Sequence, residues 1–366
     1  MRNRLIILFF LSAFAATLSA GMGKPRETVF LKTDRDIYVS GEPMFFTAWR
    51  QSDPSPLMIN SNYAYLVVRD GLNRTVGTLR MRFSEDQFSG AFYLPDTLQT
   101  GYYQMVLFTN YLKNFGEGHY YRKEIIVVNR FDEKLNSLQF SDSLENILAA
   151  PTSGPNEGLI MIDKQQYAHR EKVSLQVLLP ENIKNPAVSG LTVRLKESLL
   201  RESELQQSAE ESASIAETSA NLKYFPETNG IFLYGMVTSP DGRAIPRTQV
   251  FVSVPDTVAN LFYVSTDESG EFAVLLNEYY MGREVFFNLG HEVEGTISLY
   301  NRFRLEQDFV PQNRVLSSET REHIHLARNI VNVQKAFPLV LDFSAVSPQY
   351  NYIPKVYAAT TVTVYP

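Results

Sequence analysis

The 366-residue chain has a formal net charge of −6, from 34 Lys and Arg against 40 Asp and Glu, and contains no cysteine. That balance argues against a nucleic-acid binder, which needs a basic face, and the missing thiols exclude disulfides, thiol catalysis and cysteine-ligated metals together. Length sets about two to three domains, and 20 Tyr with 24 Phe favours strands over helices.

Residues 1–20 read as a signal peptide. Met1-Arg-Asn-Arg is a positive start, Leu5 to Phe14 a short apolar run, and Leu18-Ser19-Ala20 a small-residue cleavage site before Gly21. The run is too short for a spanning helix, and no Cys follows it to carry a lipid. An exported, cysteine-free, moderately acidic chain fits the periplasm, outer membrane or surface of a Gram-negative bacterium. Without disulfides, each module must be stabilised by a full-sized apolar core.

Residues 26–130 read as one β-domain. In Val29–Ala48, Val29 and Leu31 alternate with Phe30 and Lys32, Asp34 to Asp36 interrupt, Ile37 to Val39 resume, Ser40-Gly41-Glu42-Pro43 turn, and Met44 to Trp49 form a new apolar strand. Strands follow at Tyr63–Arg69, after which Asp70-Gly71 turns, then at Thr75–Phe83, Phe88–Pro95, Gly101–Asn110 and Tyr120–Asn129. About seven strands in about a hundred residues is the sandwich pattern. The run Thr33-Asp34-Arg35-Asp36-Ile37-Tyr38-Val39-Ser40-Gly41-Glu42, with the later Gly101-Tyr102-Tyr103, resembles the second macroglobulin-type domain of the α2-macroglobulin superfamily, with Arg35 and Ser40 standing where that pattern has Lys and Pro.

Residues 131–157 read as a linker that can hold a short helix before Pro151-Thr-Ser-Gly-Pro. The opening element then repeats: Ile162 to Glu171 aligns with Thr33 to Glu42, so that Asp34, Tyr38 and Glu42 meet Asp163, Tyr167 and Glu171, each offset by 129. Val173, Leu175, Val177 and Leu179 alternate after it. Residues 158–225 thus look like a second macroglobulin-type sandwich, interrupted at 199–222 by a Glu/Ser/Ala-rich helical or flexible connector.

Residues 229–300 hold a third module. Gly235, Val237, Asp241, Gly242, Pro246, Val250, Val252, Thr266, Asp267, Gly270 and Phe272 match a carboxypeptidase-regulatory-like domain, which implies a small seven-stranded prealbumin-like sandwich. Residues 301–366 read as an irregular, partly helical tail, in which Ser317 to Glu319 cap a helix, Ile324, Ala327 and Val331 space its apolar face, and Pro338 stops it. The expected fold class is all-β, as tandem β-sandwich domains. The module order is similar to the N-terminal part of larger bacterial envelope proteins, some of which continue into a TonB-receptor plug-like segment. None is recognised here, which leaves a short or a truncated member open.

Chemistry has few candidates. The superfamily's thioester needs a Cys, so covalent trapping is excluded. His291-Glu292-Val293-Glu294 matches the His-x-x-Glu zinc pair of metallocarboxypeptidases, without the third ligand and the α/β surroundings. His323 and His325 sit two apart in a helical context, where they do not converge, and His119 and His169 are isolated. Asp34, Asp36, Glu42 and Asp163 lack the loop spacing of a Ca²⁺ site. Asp96-Thr97-Leu98, Asp142-Ser143-Leu144 and Asp256-Thr257-Val258 fit the short Asp-Ser/Thr-apolar pattern of bacterial O-glycosylation. The expectation is therefore a non-enzyme with no catalytic, cofactor or metal residues: an envelope interaction protein that binds a protein or glycan partner, with a link to outer-membrane transport implied by the resemblance. Two alternatives are a thioester-less protease inhibitor and an accessory chain of a metallohydrolase, the latter removed if the purified protein holds no zinc.

Incubation with broad-specificity proteases separates interaction protein from inhibitor. Cleavage within 199–222 with release of an active protease is the expected outcome; retention of a blocked protease would establish inhibition.

Overall fold

A computed structural model describes residues 27–52, 60–141, 159–164, 166, 168, 174–178, 222–255, 260–280, 283–290, 292–336, 356–358 and 362–364. These residues are mostly β-sheet, with one α-helix in the C-terminal region. The first sandwich has a three-stranded antiparallel sheet of β1 (Glu27–Thr33), β3 (Pro43–Ser52) and β6 (Gln87–Tyr93), in the order β1-β3-β6. Its second sheet contains β2 (Ile37–Val39), β4 (Tyr63–Asp70), β5 (Thr75–Arg82), β7 (Gly101–Phe108) and β8 (Tyr121–Val128), in the order β2-β8-β7-β4-β5. Val29 and Leu31 point inward while Thr28 and Lys32 stay exposed, so period-two alternation places one face of β1 in the core. There they meet Tyr38, Met44, Phe46, Leu66, Val68, Met105, Leu107, Ile125 and Val127.

The five-stranded sheet is not solvated on its outer side. Every residue of β4 is buried, as are most of β7 and β8. Their near-continuous apolar sequence reflects burial on both faces. The covering comes from the segment just after β8 and from the C-terminal region. Leu135, Leu138, Phe309 and Leu316, with Ile324, Ala327 and Val331 of α1 (Ser318–Ala336), close over Ile37, Val39, Tyr102, Ile126 and Val128. The Ser317 hydroxyl caps the helix by accepting from the Thr320 amide at 3.2 Å. Ahead of the helix, β18 (Val315–Ser317) pairs in parallel with β9 (Gln139–Ser141). The span expected to be a linker thus contributes a strand, and residues 131–141 are turns and strand rather than helix. Pro338 and residues 142–157 lie outside the described residues.

The second sandwich in the described structure has eight strands. β15 (Glu271–Asn277), β12 (Gly230–Thr238) and β17 (Thr296–Leu299) form one sheet with β20 (Val362–Val364). β14 (Asn260–Ser265), β13 (Gln249–Val254) and β16 (Val285–Leu289) form the other with β19 (Val356–Ala358). Six strands come from residues 229–300. The last two come from the tail, for which the sequence pattern offers no module, and both add in parallel.

The motif residues of this sandwich have structural reasons. Gly235 lies opposite Phe272 in register, and a Cβ there would stand 2.6 Å from the Phe272 ring and 2.7 Å from the Ser298 carbonyl. The Asp267 carboxylate accepts from the Ser269 amide at 2.9 Å, the Ser269 hydroxyl at 2.7 Å and the Glu271 amide at 2.9 Å. Gly270 completes that turn at φ +75°. The Thr266 hydroxyl donates to the Ile245 carbonyl at 2.8 Å, fixing the neighbouring loop.

Between the two sandwiches, β10 (Leu159–Ile162) and β11 (Leu175–Leu178) pair antiparallel. Ile162 faces Leu175, as Thr33 faces Phe46 on β1 and β3 at an offset of 129. The Asp34 carboxylate accepts from the Phe45 amide at 3.1 Å, and the Asp163 carboxylate accepts from the Ser174 amide at 3.1 Å. The repeat in sequence is therefore also a repeat in pairing register. Tyr167, Glu171 and residues 179–221 lie outside the described residues.

Ile324, on the inner face of α1, is fully buried. Ile324→Ala should cost about 2–5 kcal/mol, the usual range for truncating a buried Ile. A lowered urea midpoint, with faster amide exchange in β7 and β8, is the expected result.

Candidate interaction site

The opening signature builds a buried polar cross-link. The Tyr38 hydroxyl donates to Asp34 Oδ1 at 2.7 Å and accepts from the Arg35 amide at 3.0 Å. The Arg35 guanidinium lies 4.8 Å over the Tyr38 ring and pairs with Glu42 at 2.6 Å. Glu42 also accepts from the Val39 amide at 2.8 Å. Burial raises the Glu42 carboxyl pKa, with Arg35 opposing the shift. Asp36 pairs with Lys123 at 2.6 Å. These acids bond within the hairpin or to a neighbouring strand, and they form no metal cluster among the described residues.

A second polar cluster joins the two sandwiches. The Glu227 carboxylate, almost fully buried, accepts from the Tyr65 hydroxyl and from the Phe232 amide. Arg302 donates to the Tyr65 hydroxyl at 3.0 Å and to the Phe232 carbonyl at 3.1 Å. Lys113 donates to the Arg302 carbonyl at 2.9 Å and lies 5.5 Å over the Phe108 ring. Burial raises the Glu227 pKa, countered chiefly by Arg302. Burial, and then the positive charge of Arg302, push the Lys113 ammonium down to about 8. Around this centre, Asn62 donates to the Thr228 carbonyl at 3.0 Å and Asn110 to the Phe225 carbonyl at 2.9 Å. Tyr63 enters the apolar core of the eight-stranded sandwich, and its hydroxyl donates to Glu278 at 2.9 Å. Sequence reasoning missed the cluster, whose members lie far apart in the chain.

Among the described residues the remaining sequence candidates do not converge. His323 lies 3.9 Å from Glu319, while His325 meets Arg328 at 3.3 Å. His119 packs edge-on to Phe115. Glu292 and Glu294 are surface residues, and His169 and His291 lie outside the described residues. Thr97 is exposed, but Asp96 faces Arg130 and Lys335, each at 3.5 Å. Residues 142–144, 199–221 and 256–258 lie outside the described residues. A cleft of about 240 Å³ is lined by Lys223, Tyr234, Asp267, Glu271 and Tyr300 among others. It is smaller than a usual small-molecule site, about 300–1,000 Å³, and its charges are spent internally: Lys223 and the Tyr300 hydroxyl both bond Glu271, at 2.6 and 2.7 Å.

What stands open is an apolar edge. β14 is the end strand of its sheet and, among the described residues, pairs only with β13. Leu261 is 68% exposed and Tyr263 61%. Both lie on the outer face, where Tyr263 meets Phe251 with ring centroids 6.2 Å apart. A signal existed in the sequence: Leu261-Phe262-Tyr263-Val264 is apolar on both alternating faces, whereas a half-solvated strand is polar on one.

Tyr65→Phe removes the hydroxyl that donates to Glu227 and accepts from Arg302. It should cost about 1–3 kcal/mol by leaving a buried charged group short of a partner. Chemical denaturation measures the loss, and amide exchange should rise on both sides of the junction.

No protein-family model matches the chain, and no curated protein matches it. Among solved structures it is similar to a Salmonella alpha-2-macroglobulin reacted with methylamine, at 12% identity over 73% of this chain and 13% of that one, with a TM-score of 0.23. It is also similar to trypsin-activated alpha-2-macroglobulin from Escherichia coli, at 10% identity over 77% and 16% of the two chains and a TM-score of 0.24. The CARDB domain of a Pyrococcus furiosus protein is similar at 13% identity, covering 30% of this chain and 98% of that one, with a TM-score of 0.22. The chain spans less than a fifth of the two macroglobulins, and its fold rests on the strand pairing described above.

Proposed function

We propose that this chain is a non-enzymatic interaction protein, exported to the bacterial cell envelope, that holds a protein partner on the outer face and edge of β14. The observation that carries this reading is the exposure of Leu261 and Tyr263 on a strand with only one described neighbour. Such an edge offers backbone hydrogen bonds and apolar contact together, and natural sheets usually blunt it with charge or Pro. Export is supported by the positive start, apolar run and small-residue site of residues 1–20. Placement beside outer-membrane transport is supported by the sequence resemblance to envelope proteins of the same module order. The buried acids and bases support a non-enzymatic role, because they bond to the strands and loops they join.

A photo-crosslinking residue at Tyr263, in the native organism, should capture a discrete protein adduct that the same probe at Arg243 does not. Leu261→Lys should reduce it at least tenfold. Equal labelling at both positions would sink the reading; loss of glycan binding in Leu261→Lys without any protein adduct would replace the protein partner with a carbohydrate.

A further inference from the structure

Of the three Asp-Ser/Thr-apolar tripeptides, Asp96-Thr97-Leu98 lies among the described residues. It forms a β-turn: the Leu98 amide donates to the Pro95 carbonyl at 3.2 Å, so Asp96 and Thr97 are the two central residues. The turn is clasped from several sides. Leu98 is buried in the core of the first sandwich. The Asn129 side chain donates to the Leu98 carbonyl at 2.7 Å and to the Asp96 carbonyl at 3.4 Å. Asp96 Oδ1 faces Arg130 and Lys335, and it lies over Gly41, where a Cβ would stand 1.9 Å away. Two groups on this fixed turn are left without partners. Both ion pairs of Asp96 use Oδ1, so Oδ2 has none among the described residues, and the side chain stays 41% exposed. Thr97 is exposed, and its hydroxyl makes no hydrogen bond among the described residues. The nearby Thr100 hydroxyl, by contrast, accepts from the Asn129 amide at 3.0 Å.

We propose that Thr97 is the acceptor of an O-linked glycan, and that the open carboxylate oxygen of Asp96 is what a glycosyltransferase reads beside it. The transfer takes a sugar activated as a glycosyl diphosphate. Thr97 Oγ1 bonds to the anomeric carbon. The bond from that carbon to the diphosphate oxygen breaks, and its electron pair leaves with the diphosphate. The hydroxyl proton passes to a base of the transferase. A hydroxyl with no internal bond gives up nothing in this step, and an acceptor already fixed on a turn loses little conformational freedom on docking. A glycan is bulky and must stand in water, which a turn tip allows without moving the core beneath it. The apolar third residue has a reason in the fold, because the buried Leu98 anchors the turn that presents Thr97. The inference rests on the export part of the reading above, which brings the chain to the envelope.

The test is mass spectrometry of the full-length protein purified from the native organism. Trypsin releases Thr97 within the peptide Phe83–Lys113, which has no internal Lys or Arg. Fragmentation that preserves side-chain modifications should place a mass increment of one or more sugar residues on Thr97. Thr97→Ala should abolish the increment while the protein is still recovered from the envelope, and Thr97→Ser should keep it. Asp96→Asn should lower occupancy at least tenfold. Lys335→Ala, which removes one ion pair and keeps the carboxylate, should leave occupancy unchanged; loss there, or full occupancy in Asp96→Asn, would overturn the role given to Asp96. A bare Thr97 in a chain that has lost residues 1–20, or an increment carried only by Thr100 or Thr109, would overturn the acceptor and leave export standing. A chain that retains residues 1–20 and carries no sugar would overturn both.

Discussion

The architecture depends on a carboxylate that has been taken out of water. Glu227 sits between two sandwiches at a depth where an unpaired charge would cost several kcal/mol. It is tolerable because Tyr65 comes from one sandwich, the Phe232 amide from the other, and Arg302 bridges both. None of these partners would serve if the modules were free to tumble about a linker. The junction therefore ties the charge state of one residue to the relative position of two β-domains. Asn62, Asn110 and Tyr63 extend that dependence outward with bonds that are individually modest.

The outer cover of the first sandwich follows the same logic by apolar means. Its five-stranded sheet is hydrophobic on both sides and could not stand as a half-solvated sheet. Leu135 and Leu138, with Phe309, Leu316 and the inner face of α1, supply the missing layer. Two parts of the molecule distant in sequence are thus interdependent, and the two sandwiches of the described residues are laced together rather than strung as separate beads.

Much of this was legible in the sequence. Alternation gave β1 and β3, Ser317 with Ile324, Ala327 and Val331 gave the helix, and the offset of 129 that links Asp34 to Asp163 reappears as one pairing register in two hairpins. The glycine and aspartate of the third module's motif were readable because they answer local demands: a left-handed turn at Gly270, a close approach at Gly235. Strands β9, β19 and β20 were not readable. They are three residues long, pair in parallel, and owe their conformation to distant edges rather than to a pattern of their own. The Glu227 cluster was hidden for a related reason, since no spacing rule links residues 65, 113, 227 and 302. The exposed face of β14 left a trace in Leu261 and Tyr263 that a stricter reading of alternation would have caught.

The long reach of that outer cover has a consequence for synthesis. β8 ends at Val128, but the cover is not complete until Val331 has been made. Translation at about 5–20 residues per second leaves an interval of roughly 10–40 s. Throughout it Ile37, Val39, Tyr102, Ile126 and Val128 form an apolar sheet face awaiting its lid. The first sandwich is consequently first to be made and among the last to be finished, and until the helix arrives that apolar face lacks its intramolecular cover.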